Sequence, residues 1–155
     1  MNNILKRPLV NAVCIGLFSA FYTVLFFITA RRTEFENILY YVRLKENTNP
    51  FWSFWSAFLA AGHQRFIAMT LAAITVFVVL LLVTRRKSYD EYHMSILINC
   101  FVAALVLTLV AIALLFLVVL GNPFGIIEKF MLFIVAHWAA VVLANLAYVL
   151  LCRWR

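Results

Sequence analysis

Four long apolar runs divide this chain, and one stretch between the first two breaks the pattern. The runs cover Pro8–Ala30, Phe66–Thr84, Met94–Leu120 and Phe130–Cys152. About 20 apolar residues in a helix cross a bilayer core of roughly 30 Å. Each run meets that length or comes within one residue of it, and none contains Asp, Glu, Lys or Arg. The pattern predicts an all-α polytopic membrane protein, one domain over 1–155, with four transmembrane helices in an antiparallel bundle. Pro8 suits the first turn of a helix. Gly121-Asn122-Pro123 ends the third run, because proline cannot continue a helix. The first run is too long for a signal-peptide core and ends in Arg31-Arg32, so it reads as a retained span.

The interruption, Arg31–Arg65, carries most of the chemical variety. Thr33-Glu34-Phe35-Glu36 has the form of a capping box. Phe35, Ile38, Leu39 and Val42 then share a helical face, which predicts an amphipathic helix over about 33–46 lying in the membrane interface. Asn47-Thr48-Asn49-Pro50 breaks that helix. A second one is expected over about 50–61, with Asn49 as cap and Pro50 in its first turn. It is crowded with Phe51, Trp52, Phe54, Trp55 and Phe58. Tryptophan concentrates at the membrane–water boundary, and this run is too short to span, so it is expected to be interfacial or re-entrant.

Composition supports lipid as the solvent. Hydrophobic residues make up 66% and charged residues 12%, against about 25% charged in a typical soluble domain. Mean hydropathy is +1.01. The formal charge of +7 sits at the ends of the runs, in Lys6-Arg7, Arg31-Arg32, Arg85-Arg86-Lys87 and Arg153/Arg155. That placement fits lipid phosphates rather than nucleic acid. With an even number of spans the termini share a side, and the density of basic residues there favours both termini in the cytoplasm of a bacterial-type plasma membrane.

Several function classes lose ground. Coupled transporters usually hold an ionisable group at membrane depth, and the spans offer only His137. No G-x-S-x-G, H-E-x-x-H, P-loop or G-x-G-x-x-G motif occurs, so a non-enzymatic protein without metal or cofactor is expected. An enzyme on the 31–65 segment would have to use Glu34, Glu36, Glu46 and His63. Cys14, Cys100 and Cys152 form no metal or disulfide pattern. Asn11, Asn99 and Asn145 fall at similar depth and are expected to form one polar layer across three helices, with His137 bonding a neighbouring helix. Small residues at 12/16/20 and 136/140/144 make stripes suited to close helix approach or to docking a partner.

The candidate ligand site is a groove floored by Phe51, Trp52 and Trp55 and edged by Arg43, His63 and Arg65. Its residue types suit an amphiphile with an acidic head, such as a lipid or lipid-linked precursor. Membrane lipids are the expected partners, with a larger membrane complex or an oligomer as the alternative. Arg31-Arg32-Thr33-Glu34, followed by Asn47 and Pro50-Phe51-Trp52-Ser53-Phe54-Trp55, resembles the VanZ family of small membrane proteins associated with glycopeptide resistance. Glu128 stands near the last span, where the family carries an acidic group; the second run lacks the family's asparagine and P-x-G turn. The resemblance implies an envelope-linked, non-enzymatic role.

Overall fold

The computed structural model describes residues 7–39, 50–84, 89–121 and 126–153. These form five helices: α1 (Pro8–Leu39), α2 (Pro50–Ala60), α3 (Gln64–Thr84), α4 (Glu91–Gly121) and α5 (Ile126–Arg153). No strand occurs among the described residues. Four helices are long and apolar enough to cross a membrane: Pro8–Arg31, Gln64–Thr84, Glu91–Gly121 and Ile126–Cys152. The four spans read from the hydropathy pattern are therefore present, extended by a few polar residues at their ends.

Those extensions have local causes. Asp90 starts α4 by accepting the His93 backbone N–H on Oδ1 at 2.8 Å, a side-chain cap for an otherwise unpaired donor. α5 begins at Ile126, which places Glu128 in its first turn, where a carboxylate complements the helix dipole. α2 begins at Pro50 as expected. It ends at a tight turn through Gly62, whose φ of 76° is open to glycine and costly for other residues. The turn lets α3 start only four residues after α2 stops.

One expected boundary is absent. α1 does not stop at Arg31 and restart at Thr33; it continues as one helix to Leu39. Neither glycine nor proline occurs between Gly16 and Pro50, and a Thr-x-x-Glu sequence is compatible with a helix interior when nothing breaks the preceding turn. At 1.5 Å per residue α1 is about 48 Å long, so its last turns extend beyond a core of roughly 30 Å. The remainder of the expected 33–46 helix, with Arg43, lies outside the described residues.

Helix α5 is the centre of the assembly. It packs against α1, α3 and α4 and receives α2, while α1 and α3 pack on each other. α4 has extensive contacts with α5 alone. Two buried clusters stack along the bundle. One lies at the α2 end and includes Phe26, Trp55, Leu59, Leu71, Met131 and Trp138. The other lies at the termini end and includes Ala12, Ile15, Val78, Leu82, Tyr89 and Tyr148. The small-residue stripes are not continuous seams: Ala12 is buried but Ala20 is exposed, Ala136 is exposed, and a Cβ on Gly16 would meet open space.

Candidate functional site

The aromatic helix α2 is fastened to the first turn of α5. Trp55 and Leu59, one turn apart, are both buried in the bundle. The Trp55 indole Nε1 donates to the Glu128 backbone carbonyl at 3.0 Å. Ser56 Oγ donates to Glu128 Oε1 at 2.6 Å. A hydrogen bond to a charged group contributes roughly 1.5–3 kcal/mol. Lys129 is buried, and its Nζ lies 5.5 Å from the centroid of the Trp52 ring, a cation–π arrangement. Two adjacent residues of α5 thus hold three of α2, through two hydrogen bonds and one cation–π contact.

Beyond this anchor the surface is aromatic. Phe54 and Phe58 have ring centroids 6.3 Å apart, Phe58 stacks on His63 at 5.1 Å, and His63 lies 6.0 Å from Phe66. The row crosses the Gly62 turn and joins α2 to α3. Phe54 and Phe66 at its ends are exposed, as are His63 and neighbouring Arg65. Trp55 stacks beneath Phe58 at 5.7 Å. Phe51 is exposed and meets Trp52 edge-on at 5.1 Å. At the foot of the turn, Gln64 is buried and its Oε1 has no hydrogen-bond partner among the described residues. A buried acceptor left unpaired costs roughly 1–3 kcal/mol.

The expected groove residues therefore separate into two roles. Trp55 is an internal anchor and not part of an open floor. Trp52 is half-buried beside Lys129, and Phe51, His63 and Arg65 face outward. Arg43 lies outside the described residues. Sequence reasoning passed over Ser56, Gln64 and Lys129 as site residues and cited Glu128 only through the family resemblance. The available signal was Glu128-Lys129 itself, a charged pair at the mouth of a span whose interior is otherwise uncharged.

The polar groups inside the membrane form a ladder between antiparallel α1 and α5. Near the termini, Asn11 Nδ2 donates to Asn145 Oδ1 at 3.2 Å. Midway, the Trp138 indole donates to Ser19 Oγ at 2.9 Å, and Ser19 shares a 2.9 Å bond with Thr75 of α3. The Thr75 hydroxyl hydrogen is used on the Leu71 carbonyl at 2.8 Å, so Ser19 must donate to Thr75. The relay is complete, from indole N–H to backbone carbonyl. Nearer α2, Tyr22 and His137 Nδ1 share a hydrogen bond, with the Phe18 and Phe133 rings packed around the imidazole. His137 thus bonds a neighbouring helix, as expected.

Asn99 does not join the layer; it is exposed on α4. Its depth along the bundle matches that of Asn11 and Asn145, but its side of α4 is exposed and meets neither. No cluster of three His, Cys, Asp or Glu side chains with metal-site geometry occurs among the described residues.

Comparisons with family models, curated proteins and solved structures give no match to this chain.

Proposed function

We propose that this chain is a non-enzymatic integral membrane protein that receives an amphiphile with an acidic head on the aromatic surface at the α2–α3 turn. The observation that carries this reading is the row Phe54–Phe58–His63–Phe66, in which Phe58 is half-buried and the other three are exposed, with exposed Arg65 beside it. Rings supply flat apolar area for a chain or isoprenoid, and a guanidinium supplies a planar donor fork for phosphate. Fastening α2 to α5 through Glu128 keeps this surface in one conformation, which lowers the ordering cost of binding.

With the termini in the cytoplasm of a bacterial plasma membrane, the surface faces outward. A VanZ-like accessory role on a lipid-linked precursor fits that side. The four apolar runs hold no Asp, Glu, Lys or Arg, and His137 is engaged by Tyr22, which supports a binding role over coupled transport.

Binding of a polyprenyl phosphate to the protein in nanodiscs tests the proposal. Phe54→Ser combined with Arg65→Gln is expected to weaken binding at least tenfold, about 1.4 kcal/mol. Both side chains are exposed, so the bundle should remain folded. Unchanged affinity, or equal affinity for a neutral polyprenol, would sink the reading. A second reading, a helical subunit of a larger membrane complex, draws on α4, whose outward face is covered by none of the described residues.

A further inference from the structure

Because α4 packs on α5 and stands off from α1, a slot opens between α1 and α4 in the half of the bundle nearest the termini. Its volume is about 420 Å³. Val10, Asn11 and Cys14 line one wall, and Leu97, Phe101 and Leu105 line the other. Apart from the Asn11 amide, the walls are apolar. We propose that this slot holds one acyl chain of an anionic phospholipid, with the phosphate at Arg7.

Magnitudes favour a single chain over a helix. The α4 wall runs from Met94 to Leu105, a rise of about 16 Å at 1.5 Å per residue. Counted with its open side, the empty space is about 910 Å³, which over that length gives a cross-section of about 57 Å², whereas a helix at least about 10 Å across needs about 80 Å². The slot therefore accepts one polymethylene chain, while a helix from a second copy could insert no more than side chains.

Charge selects the head. Arg7 is exposed and stands immediately before α1, three residues ahead of Val10 in the slot wall, at the end where the slot meets the headgroup region. The sequence puts seven basic residues here: Lys6, Arg7, Arg85, Arg86, Lys87, Arg153 and Arg155. Two carboxylates oppose them, Asp90 and Glu91. Asp90 is engaged in capping α4 and pairs with His93. The excess is positive, so an anionic head is favoured over a zwitterionic one.

Native mass spectrometry on protein taken from vesicles of equal phosphatidylglycerol and phosphatidylcholine provides the test. One phosphatidylglycerol per chain is expected, enriched at least fivefold over phosphatidylcholine. Arg7→Gln should bring the two lipids close to equal retention. Cys14→Trp, at an exposed position facing the slot, should expel the lipid and leave a monomer. Equal retention of both lipids by the unaltered protein would overturn the proposal. So would retention by the Cys14→Trp protein, or a dimer without lipid that Cys14→Trp dissociates. Should Cys14→Trp fail to fold, the unaltered protein and Arg7→Gln still decide the matter.

Discussion

Helices α4 and α5 invert the rule that the most apolar segment lies deepest. α4 has the higher mean hydropathy, 3.2 against 2.1, yet only 6% of its spanning window is buried within the protein, against 28% for α5. In water that ordering would be untenable. In lipid, apolar surface gains little by leaving the solvent, so association depends on close packing and on polar groups that need partners. α5 has such groups: His137, Trp138 and Asn145 each bond α1. α4's buried Thr108 instead bonds the Ala104 carbonyl of its own helix. Polar content, not apolar content, marks the helix at the centre.

The comparison would break first at Trp138. This side chain is fully buried between α1, α3 and α5 and starts the relay through Ser19 and Thr75. Trp138→Ala should cost about 3 kcal/mol, the low end of the range for burying a cavity of that size. It should also leave Ser19 without its donor. Trp138→Phe keeps most of the packing and should cost about 1 kcal/mol, within the span of measured intramembrane hydrogen bonds. Reversible unfolding in mixed micelles measures both. Equal losses for the two variants would show that the relay, and not the ring, holds the centre together.

A smaller effect is expected at the asparagines, where one residue type reports both on a bond from α1 to α5 and on the exposed face of α4. Asn11→Leu removes the donor to Asn145 and should destabilise by about 0.6 kcal/mol. Asn145 Nδ2 keeps its own bond to the Val141 carbonyl at 2.9 Å, which limits the loss. Asn99→Leu, on the exposed face of α4, should be neutral or slightly stabilising in the same assay. A loss at Asn99 matching that at Asn11 would mean that α4 turns this residue toward a neighbour.

The four spans were legible because length and the lack of charge are one-dimensional properties. So was the start of α2, from Pro50. The continuation of α1 past Thr33 was not, because a capping box has the same sequence inside a helix as at its beginning. Depth could be counted from the sequence, which paired Asn11 with Asn145. Facing could not: among almost uniformly apolar residues no periodicity distinguishes protein from lipid, and so Asn99 was misplaced. The aromatic site was visible as a crowd of rings. Its division into anchor and surface depended on Glu128 and Lys129, more than 70 residues away in the chain.

The mildest substitution bears on the role of α4 itself. Leu107 is exposed on α4, and none of the described residues covers it. If lipid surrounds that face, Leu107→Ala exchanges one lipid-exposed apolar side chain for another and leaves no cavity, because lipid tails close around the smaller residue. Monomer stability should change by less than about 0.5 kcal/mol. The same substitution in the same unfolding assay distinguishes a lipid-facing helix from a covered one, since a Leu→Ala change in a packed interface costs roughly 2–5 kcal/mol. A loss in that range that grows with protein concentration would place a second copy against α4. An unchanged monomer that loses a co-purifying partner would favour the reading of this chain as a subunit. An unchanged monomer with no partner to lose leaves lipid as the neighbour of the most apolar helix in the molecule.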